Sequence, residues 1–217
     1  MEMWPPRHIA VEGPIGVGKT SLAKRLAIEF DAELLLEAPD ENPFLPSFYQ
    51  HPRQGAFAAQ LFFLMQRTRQ LDALHQGDIF NPVRVADFMM EKDCLFARLT
   101  LNSAEFELYQ QVYSHLAVDA PAPDLVVYLQ ATVDVLLERI QKRGRDYEQH
   151  IEPAYLERIN ELYADFFSSY SQAPLFIVNA AEINFIANDL DFWALLAQIR
   201  SARTGRQFFD PLTLAAS

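Results

Sequence analysis

The sequence predicts an α/β domain built on a parallel sheet of five strands flanked by helices. Three observations carry that expectation. Short apolar runs alternate with stretches of helical periodicity along the chain, the pattern of successive strand–crossover–strand units. A glycine-rich turn, Gly13-Pro14-Ile15-Gly16-Val17-Gly18-Lys19-Thr20, joins the first apolar run to the first helical stretch. The chain has 217 residues, 50% of them hydrophobic, enough to bury one sizeable core.

In chain order, His8-Ile9-Ala10-Val11 reads as a short buried strand. The stretch 18–30 follows as a helix, with Leu22, Leu26 and Ala27 at helical intervals. Glu33–Leu36 is the second strand, and 56–76 a long helix carrying Phe57, Leu61, Leu64, Leu71 and Leu74. That length suggests packing against a partner subunit. Arg84–Ala86 is the third strand and 102–117 the next helix. Pro121-Ala122-Pro123-Asp124 punctuates the chain before a fourth strand, Leu125–Leu129. Helices at 132–142 and 153–171, a fifth strand at Leu175–Val178 and a helix at 188–201 complete the pattern. The whole chain, 1–217, reads as one domain, with a tail from about 202 that is at best partly ordered, containing Gly205 and Pro211.

The formal net charge is -11. The largest basic cluster, Lys142, Arg143 and Arg145, is too small to track a duplex, so a nucleic-acid partner is not expected. No apolar run approaches the roughly 20 residues needed to span a bilayer, so no membrane partner is expected either. The first residues do not resemble a secretory signal. The single cysteine, Cys94, excludes an internal disulfide and suits a reducing, cytoplasmic compartment; it reads as a small buried hydrophobe. His8, His51, His75, His115 and His150 are scattered, without metal-ligand spacing.

Gly13 to Thr20 fits the pattern G-x-x-x-x-G-K-[ST] at every fixed position. Such a turn lets backbone N–H groups converge on a polyphosphate, while a lysine adds charge at the transferable end and a hydroxyl meets Mg²⁺. The segment from Gly13 to Ser21 ends at a helix N-terminus, whose dipole favours the same anion. In parallel sheets ligands bind beyond the C-terminal ends of the strands. The phosphate loop, Glu37 and Asp87 follow the first three strands, so they are expected to share one cleft. Glu37 there either accepts a proton from an attacking hydroxyl, orients it, or is a solvated loop acid. Asp87 either holds Mg²⁺ or caps the following segment as a helix N-cap; the two are compatible. Arg143-Gly144-Arg145 forms a lid candidate over about 143–151, or else pairs with the preceding helix C-terminus.

These residues resemble the deoxynucleoside kinase family over about His8 to Phe167. Glu12 followed by the phosphate loop, Glu41-Asn42-Pro43-Phe44-Leu45 with Phe48-Tyr49, Ala59-Gln60 with Arg67, and Arg143-Gly144-Arg145-Asp146-Tyr147-Glu148 before Pro153-Ala154-Tyr155-Leu156 carry the resemblance. They are similar to the bacterial deoxyadenosine/deoxyguanosine kinase branch. The resemblance implies a three-layer P-loop kinase fold with a helical lid. It implies an enzyme that uses ATP and Mg²⁺ to phosphorylate the 5′-hydroxyl of a deoxynucleoside in nucleotide salvage, acting as a homodimer. By the same resemblance Glu37 is the catalytic carboxylate, assisted by Lys19, Arg143 and Arg145. Thr20 and Asp87 organise the metal, Tyr49 and Glu148 hold the sugar, Gln60 hydrogen-bonds the base, Asp93 lies near the family's base-reading acid, and Arg67, one helical face beyond Gln60, belongs to the substrate site. From residue type alone, Gln60 also reads as an exposed helix residue and Tyr49 as a core ring. Phe44, Phe48, Phe57, Phe62 and Phe63 read mostly as core, with stacking on a base as the other reading.

One departure stands out. The family's acid-Arg-Ser triplet after the third strand reads Asp87-Phe88-Met89 here. The arginine beside the catalytic carboxylate is gone, and Lys92 or Arg84 is the available substitute, although an ammonium does not copy a guanidinium fork. Two alternatives follow: a nucleoside monophosphate kinase, disfavoured because Ala38 to Gln50 carries no arginine, and a nucleotide-binding regulatory protein without turnover.

Overall fold

The computed structural model describes residues 6–77, 83–116, 122–202 and 204–211. The side chain of Leu74, residue Pro121 and the last residues of the tail lie outside that set. Among the described residues six strands form one sheet: β1 (His8–Glu12), β2 (Glu33–Leu35), β3 (Arg84–Ala86), β4 (Leu125–Gln130), β5 (Leu175–Asn179) and β6 (Arg206–Phe209). Their spatial order is β2-β3-β1-β4-β5-β6, and every described pairing is parallel.

The helices are α1 (Lys19–Phe30), α2 (Leu45–Gln50), α3 (Pro52–Gly77), α4 (Glu91–Thr100), α5 (Ser103–Leu116), α6 (Val133–Arg143), α7 (Pro153–Ser169) and α8 (Asp189–Ser201). Alternation along the strands divides the core in two. Ile9, Val11, Val127 and Phe176 pack with Leu22 and Leu26 of α1 and Leu195 and Ile199 of α8. Ala10, Val126 and Tyr128 face Ile159, Tyr163 and Phe167 of α7. Towards the β2 edge, Leu35 and Ala86 pack with Leu64, Ala97 and Tyr109 of α3, α4 and α5. A period of two along each buried strand thus produces a three-layer sandwich. Among the described residues no helix is long and apolar enough to cross a membrane.

The expected five strands become six. The tail contributes β6 because Gly205, at φ 66, turns the chain onto the β5 edge, where its carbonyl accepts from the Leu175 N–H at 2.9 Å. Phe209 is then buried and its ring stacks on Phe176 at 6.2 Å. Two further helices were not expected from sequence, α2 and α4. Asp87 is not a helix N-cap: α4 begins at Glu91 with Met90 in the capping position. Cys94 is half-buried rather than fully buried.

The chain moves from β1 towards β3 and β2 on one side and towards β4, β5 and β6 on the other. The phosphate loop therefore leaves the sheet where the strand order reverses, the place at which open α/β sheets bind ligands.

Candidate active site

The loop after β1 is shaped by glycines where other residues do not fit. Gly13 has φ +146, and a Cβ there would lie 2.4 Å from the Leu129 carbonyl oxygen of β4. Gly16 has φ +86 and packs against Ile140 and Leu136 of α6, with a Cβ approach of 2.8 Å. Gly18, at the N-cap of α1, has no side chain with which to cap the helix, which leaves its N-terminus to an anion. Lys19 folds back across the loop, and its Nζ donates to the Gly13 and Pro14 carbonyls at 2.8 and 3.0 Å. Burial, and after it the neighbouring Lys92 ammonium, lower the Lys19 pKa to about 8. Val17 is a core side chain and offers the site only its backbone.

Beneath the loop, the carboxylate of Glu12 is buried. It accepts from the N–H groups of Gly13 at 3.1 Å and Met89 at 2.7 Å and from the Tyr163 hydroxyl at 2.9 Å. One side chain thereby ties the loops after β1 and β3 to α7. Burial pushes its pKa up, against the pull of Lys92 and Lys19.

Asp87, at the end of β3, joins the phosphate end of the site to the acceptor end. Its Oδ2 accepts from the Thr20 hydroxyl at 2.6 Å, and its Oδ1 from the Glu37 N–H at 2.8 Å. Burial, then the charge of Glu37, raise its pKa. A buried carboxylate beside a hydroxyl and a second acid is a set of hard oxygen donors that suits Mg²⁺, a cation that takes one or two carboxylates and completes its shell with phosphate and water.

Glu37 follows β2 and is clasped by two cations. Its Oε1 accepts from Arg67 Nε at 2.8 Å, with an Arg67 NH2 contact on the same oxygen, and from Lys92 Nζ at 3.0 Å. Its Oε2 accepts from Lys92 Nζ at 2.9 Å. Burial raises the Glu37 pKa, but Arg67, Lys92 and Lys19 outweigh it and hold the group at about 2. Arg67 also pairs with Asp93. Asp93 is fully buried, pairs with Arg67 and is not among the residues lining the cavity, unlike Gln60 and Arg67, with which the resemblance groups it.

The cavity holds about 950 Å³, within the range of small-molecule sites. Despite the acidic chain, Lys19, Arg67, Lys92, Arg139, Arg143 and Arg145 line it. So do Tyr49, Gln60, Phe48 and Phe63. Gln60 is 5% exposed, and its amide donates to Thr100 at 3.3 Å, so it is no surface residue. The Tyr49 ring stacks on Tyr147 of the lid at 6.0 Å. Phe44, by contrast, is exposed.

The lid begins where α6 ends at Gly144, φ 71, and continues as a 3-10 turn, Asp146–His150. Glu148, buried within it, accepts from Arg143 Nε and NH2 at 3.0 and 2.6 Å and from Arg145 NH1 at 3.5 Å. Asp40, in the turn after β2, accepts from Arg145 at 2.9 Å and from the Tyr147 hydroxyl at 2.5 Å. The lid arginines thus rest on carboxylates from which a polyphosphate can draw them.

The structure brings together the phosphate loop, Glu37, Tyr49, Gln60, Arg67, Asp87, Arg143, Arg145 and Glu148 around one cavity. Sequence reasoning missed the segment Ala181 to Ala187, which lines the far end after β5. The rule about strand C-termini applies to β5 as it does to β1, β2 and β3, and would have found it. It also missed Arg139, whose guanidinium donates to the Val17 and Ala180 carbonyls at 3.1 and 2.7 Å and joins that segment to the phosphate loop.

A family model described as deoxynucleoside kinase matches residues 9–202. Relatives include a deoxyguanosine kinase of Bacillus subtilis (strain 168), 34% identical over 200 residues, which cover 88% of this chain and 95% of the relative. A deoxyadenosine kinase of Lactobacillus acidophilus is 29% identical over 194 residues, covering 83% of this chain and 88% of the relative. Among solved structures, a deoxyadenosine kinase from M. mycoides with products dCMP and a flexible dCDP bound superposes with a TM-score of 0.77 at 24% identity, over 89% of this chain and 99% of that chain. At that identity the superposition speaks to the fold. The match across nearly the whole chain, with the identity to the Bacillus subtilis enzyme, shows that the chain belongs to the deoxynucleoside kinase family.

Proposed function

We propose that this chain transfers the γ-phosphoryl group of ATP to the 5′-hydroxyl of a deoxynucleoside, with a purine base favoured, as a step of nucleotide salvage. The observation that carries the reading is the bridge made by Asp87: one carboxylate takes the Thr20 hydroxyl at 2.6 Å and the Glu37 N–H at 2.8 Å, so donor and acceptor ends are fixed to each other. The purine preference is supported by the deoxyguanosine and deoxyadenosine kinases among the relatives.

In this reading the backbone from Gly13 to Ser21 and the Lys19 ammonium bind the triphosphate. Thr20 and Asp87 hold Mg²⁺, which supplies charge neutralisation at the phosphates when bound. Arg143 and Arg145 leave Glu148 and Asp40 for the phosphates. Tyr49 and Glu148 then hold the sugar, Gln60 reads the base edge with a donor and an acceptor, and Arg67, backed by Asp93, faces the base side of Glu37. Glu37 orients the 5′-hydroxyl and receives its proton late, because a carboxylate held at about 2 is a weak base. Phosphoryl transfer with a loose transition state needs positioning more than early deprotonation. Exposed Met65 of α3 and Leu108 of α5 support a homodimer through these helices, in a cytoplasmic enzyme of one domain.

The test is one panel: ATP and Mg²⁺ with each of the four deoxynucleosides and with their monophosphates, read by product chromatography. Monophosphates formed from deoxynucleosides sustain the reading. Diphosphates formed from the monophosphates alone, or nucleotide binding without any turnover, overturn it.

A further inference from the structure

Position 88 cannot supply the site with a cation. Phe88 is 2% exposed and packs with Leu35, Leu64, Leu71 and Tyr109. Arg84 is engaged elsewhere, its Nε 3.4 Å from Glu33 Oε2 on the neighbouring strand. Lys92, in the first turn of α4, reaches the site from another direction. Its side chain lines the cavity, and its Nζ meets both oxygens of Glu37, at 3.0 and 2.9 Å.

Lys92 is only 7% exposed, and the cost of burying its ammonium is offset by its pairing with Glu37. It sits in the first turn of α4, where the macrodipole disfavours a cation, so the pairing with Glu37 is what holds it there. The Phe96 ring, one turn along α4, lies 5.6 Å from Nζ and helps to aim it inward. What the placement does gain is control of one atom. Arg67 binds Oε1 of Glu37, and among the described residues only Lys92 reaches Oε2. With Arg67 alone Oε2 has no partner among the described residues; with Lys92 both oxygens are held, in the cavity that Lys19 enters from the phosphate loop.

We propose that Lys92 is a positioning residue for phosphoryl transfer, holding Oε2 of Glu37 towards the acceptor hydroxyl and standing in for the cation that Phe88 does not provide. This inference rests on the kinase reading above. Lys92 acts through Glu37, so its removal lowers turnover and leaves the binding of ATP at the opposite end of the cavity largely intact.

The experiment compares the parent with Lys92→Met, Lys92→Arg, Glu37→Gln and the double variant Glu37→Gln/Lys92→Met, each as the full chain, with kcat and KM measured for ATP and for the best deoxynucleoside of the panel. Lys92→Met is expected to lower kcat on the order of 100-fold with KM for ATP changed less than about 3-fold. Lys92→Arg, which restores a cation, is expected to recover most of that loss. In the Glu37→Gln background Lys92→Met is expected to cost nothing further, since no carboxylate is left to hold. The double variant removes both charges, so it keeps the comparison open even if the single variant folds poorly. Turnover by Lys92→Met equal to the parent, equal losses in the Met and Arg variants, or a full additional loss in the Glu37→Gln background each overturn the inference. A parent inactive on every deoxynucleoside is a different result and strikes the kinase reading itself.

Discussion

The pair formed by Arg67 and Asp93 should dominate the local stability of the acceptor side, and a double-mutant cycle measures it. Arg67 is 4% exposed and Asp93 0%. Changing Arg67→Met leaves Asp93 buried without the cation it pairs with, whereas Glu37 keeps Lys92. Breaking a buried pair by removing one member costs about 3–5 kcal/mol, because the remaining charge is uncompensated. Asp93→Leu leaves Arg67 its other partner, Glu37, so a smaller loss of about 2–3 kcal/mol is expected. The double variant replaces the pair with apolar side chains and should cost only about 2 kcal/mol, mostly because Glu37 then has Lys92 without Arg67. The coupling is then about 3–6 kcal/mol. A loss of about 4 kcal/mol corresponds to about 8–16 °C in Tm for a domain of this size, a large share of a typical total stability of about 5–15 kcal/mol. Equilibrium urea unfolding at one fixed protein concentration reads all four corners of the cycle. Additivity within about 0.5 kcal/mol would refute the reasoning, since it would mean that the two side chains do not depend on each other.

Four further outcomes are expected. Gly13→Ala brings a Cβ to 2.4 Å from a β4 carbonyl at φ +146, which no side-chain rotation relieves; it should lose ATP affinity by calorimetry and about 2 kcal/mol or more of stability. Burial lowers the pKa of His8 from 6.5 to about 4, so the folded chain excludes a proton that the unfolded chain takes up below pH 6.5. Its contribution therefore falls as pH drops from 6.5 to 4 and then levels, a loss of roughly 3 kcal/mol, and His8→Gln should flatten that part of a urea-unfolding pH profile. Asp40→Ala removes the exposed carboxylate that fastens Arg145 and Tyr147; stability should change by less than about 1 kcal/mol, while KM for ATP shifts through lid closure. Glu37→Gln should lower kcat strongly and leave ATP affinity nearly unchanged in calorimetry, whereas turnover equal to the parent would remove Glu37 from its role.

Much of the fold was legible because its signals are local. β1, the phosphate loop and α1 announce themselves within a short span, and β4 and β5 read as continuous apolar runs because both faces are covered. β6 escaped notice because a four-residue edge strand with two exposed positions carries too little apolar pattern, and its flanking Gly205 and Pro211 read as loop. α4 was obscured because its inward face holds Lys92 and Asp93, polar residues that break the apolar period. The site divided in the same way. Lys19, Thr20, Glu37 and Asp87 could be gathered from one rule about strand ends. The clasp on Glu37 comes from Arg67 and Lys92, 30 and 55 residues away in the chain, and no spacing rule relates such positions. Nor does periodicity tell that Asp93 stands behind Arg67 rather than in the cavity.

The proposed function is the passage of a phosphoryl group from the phosphate loop to a hydroxyl beside Glu37. The direct measurement uses γ-labelled ATP, Mg²⁺ and each deoxynucleoside with the purified chain, following label and ADP by chromatography. The prediction is label appearing in a deoxynucleoside 5′-monophosphate in step with ADP and strongly reduced in Glu37→Gln. Label released only as inorganic phosphate, or transferred equally well by Glu37→Gln, would contradict it.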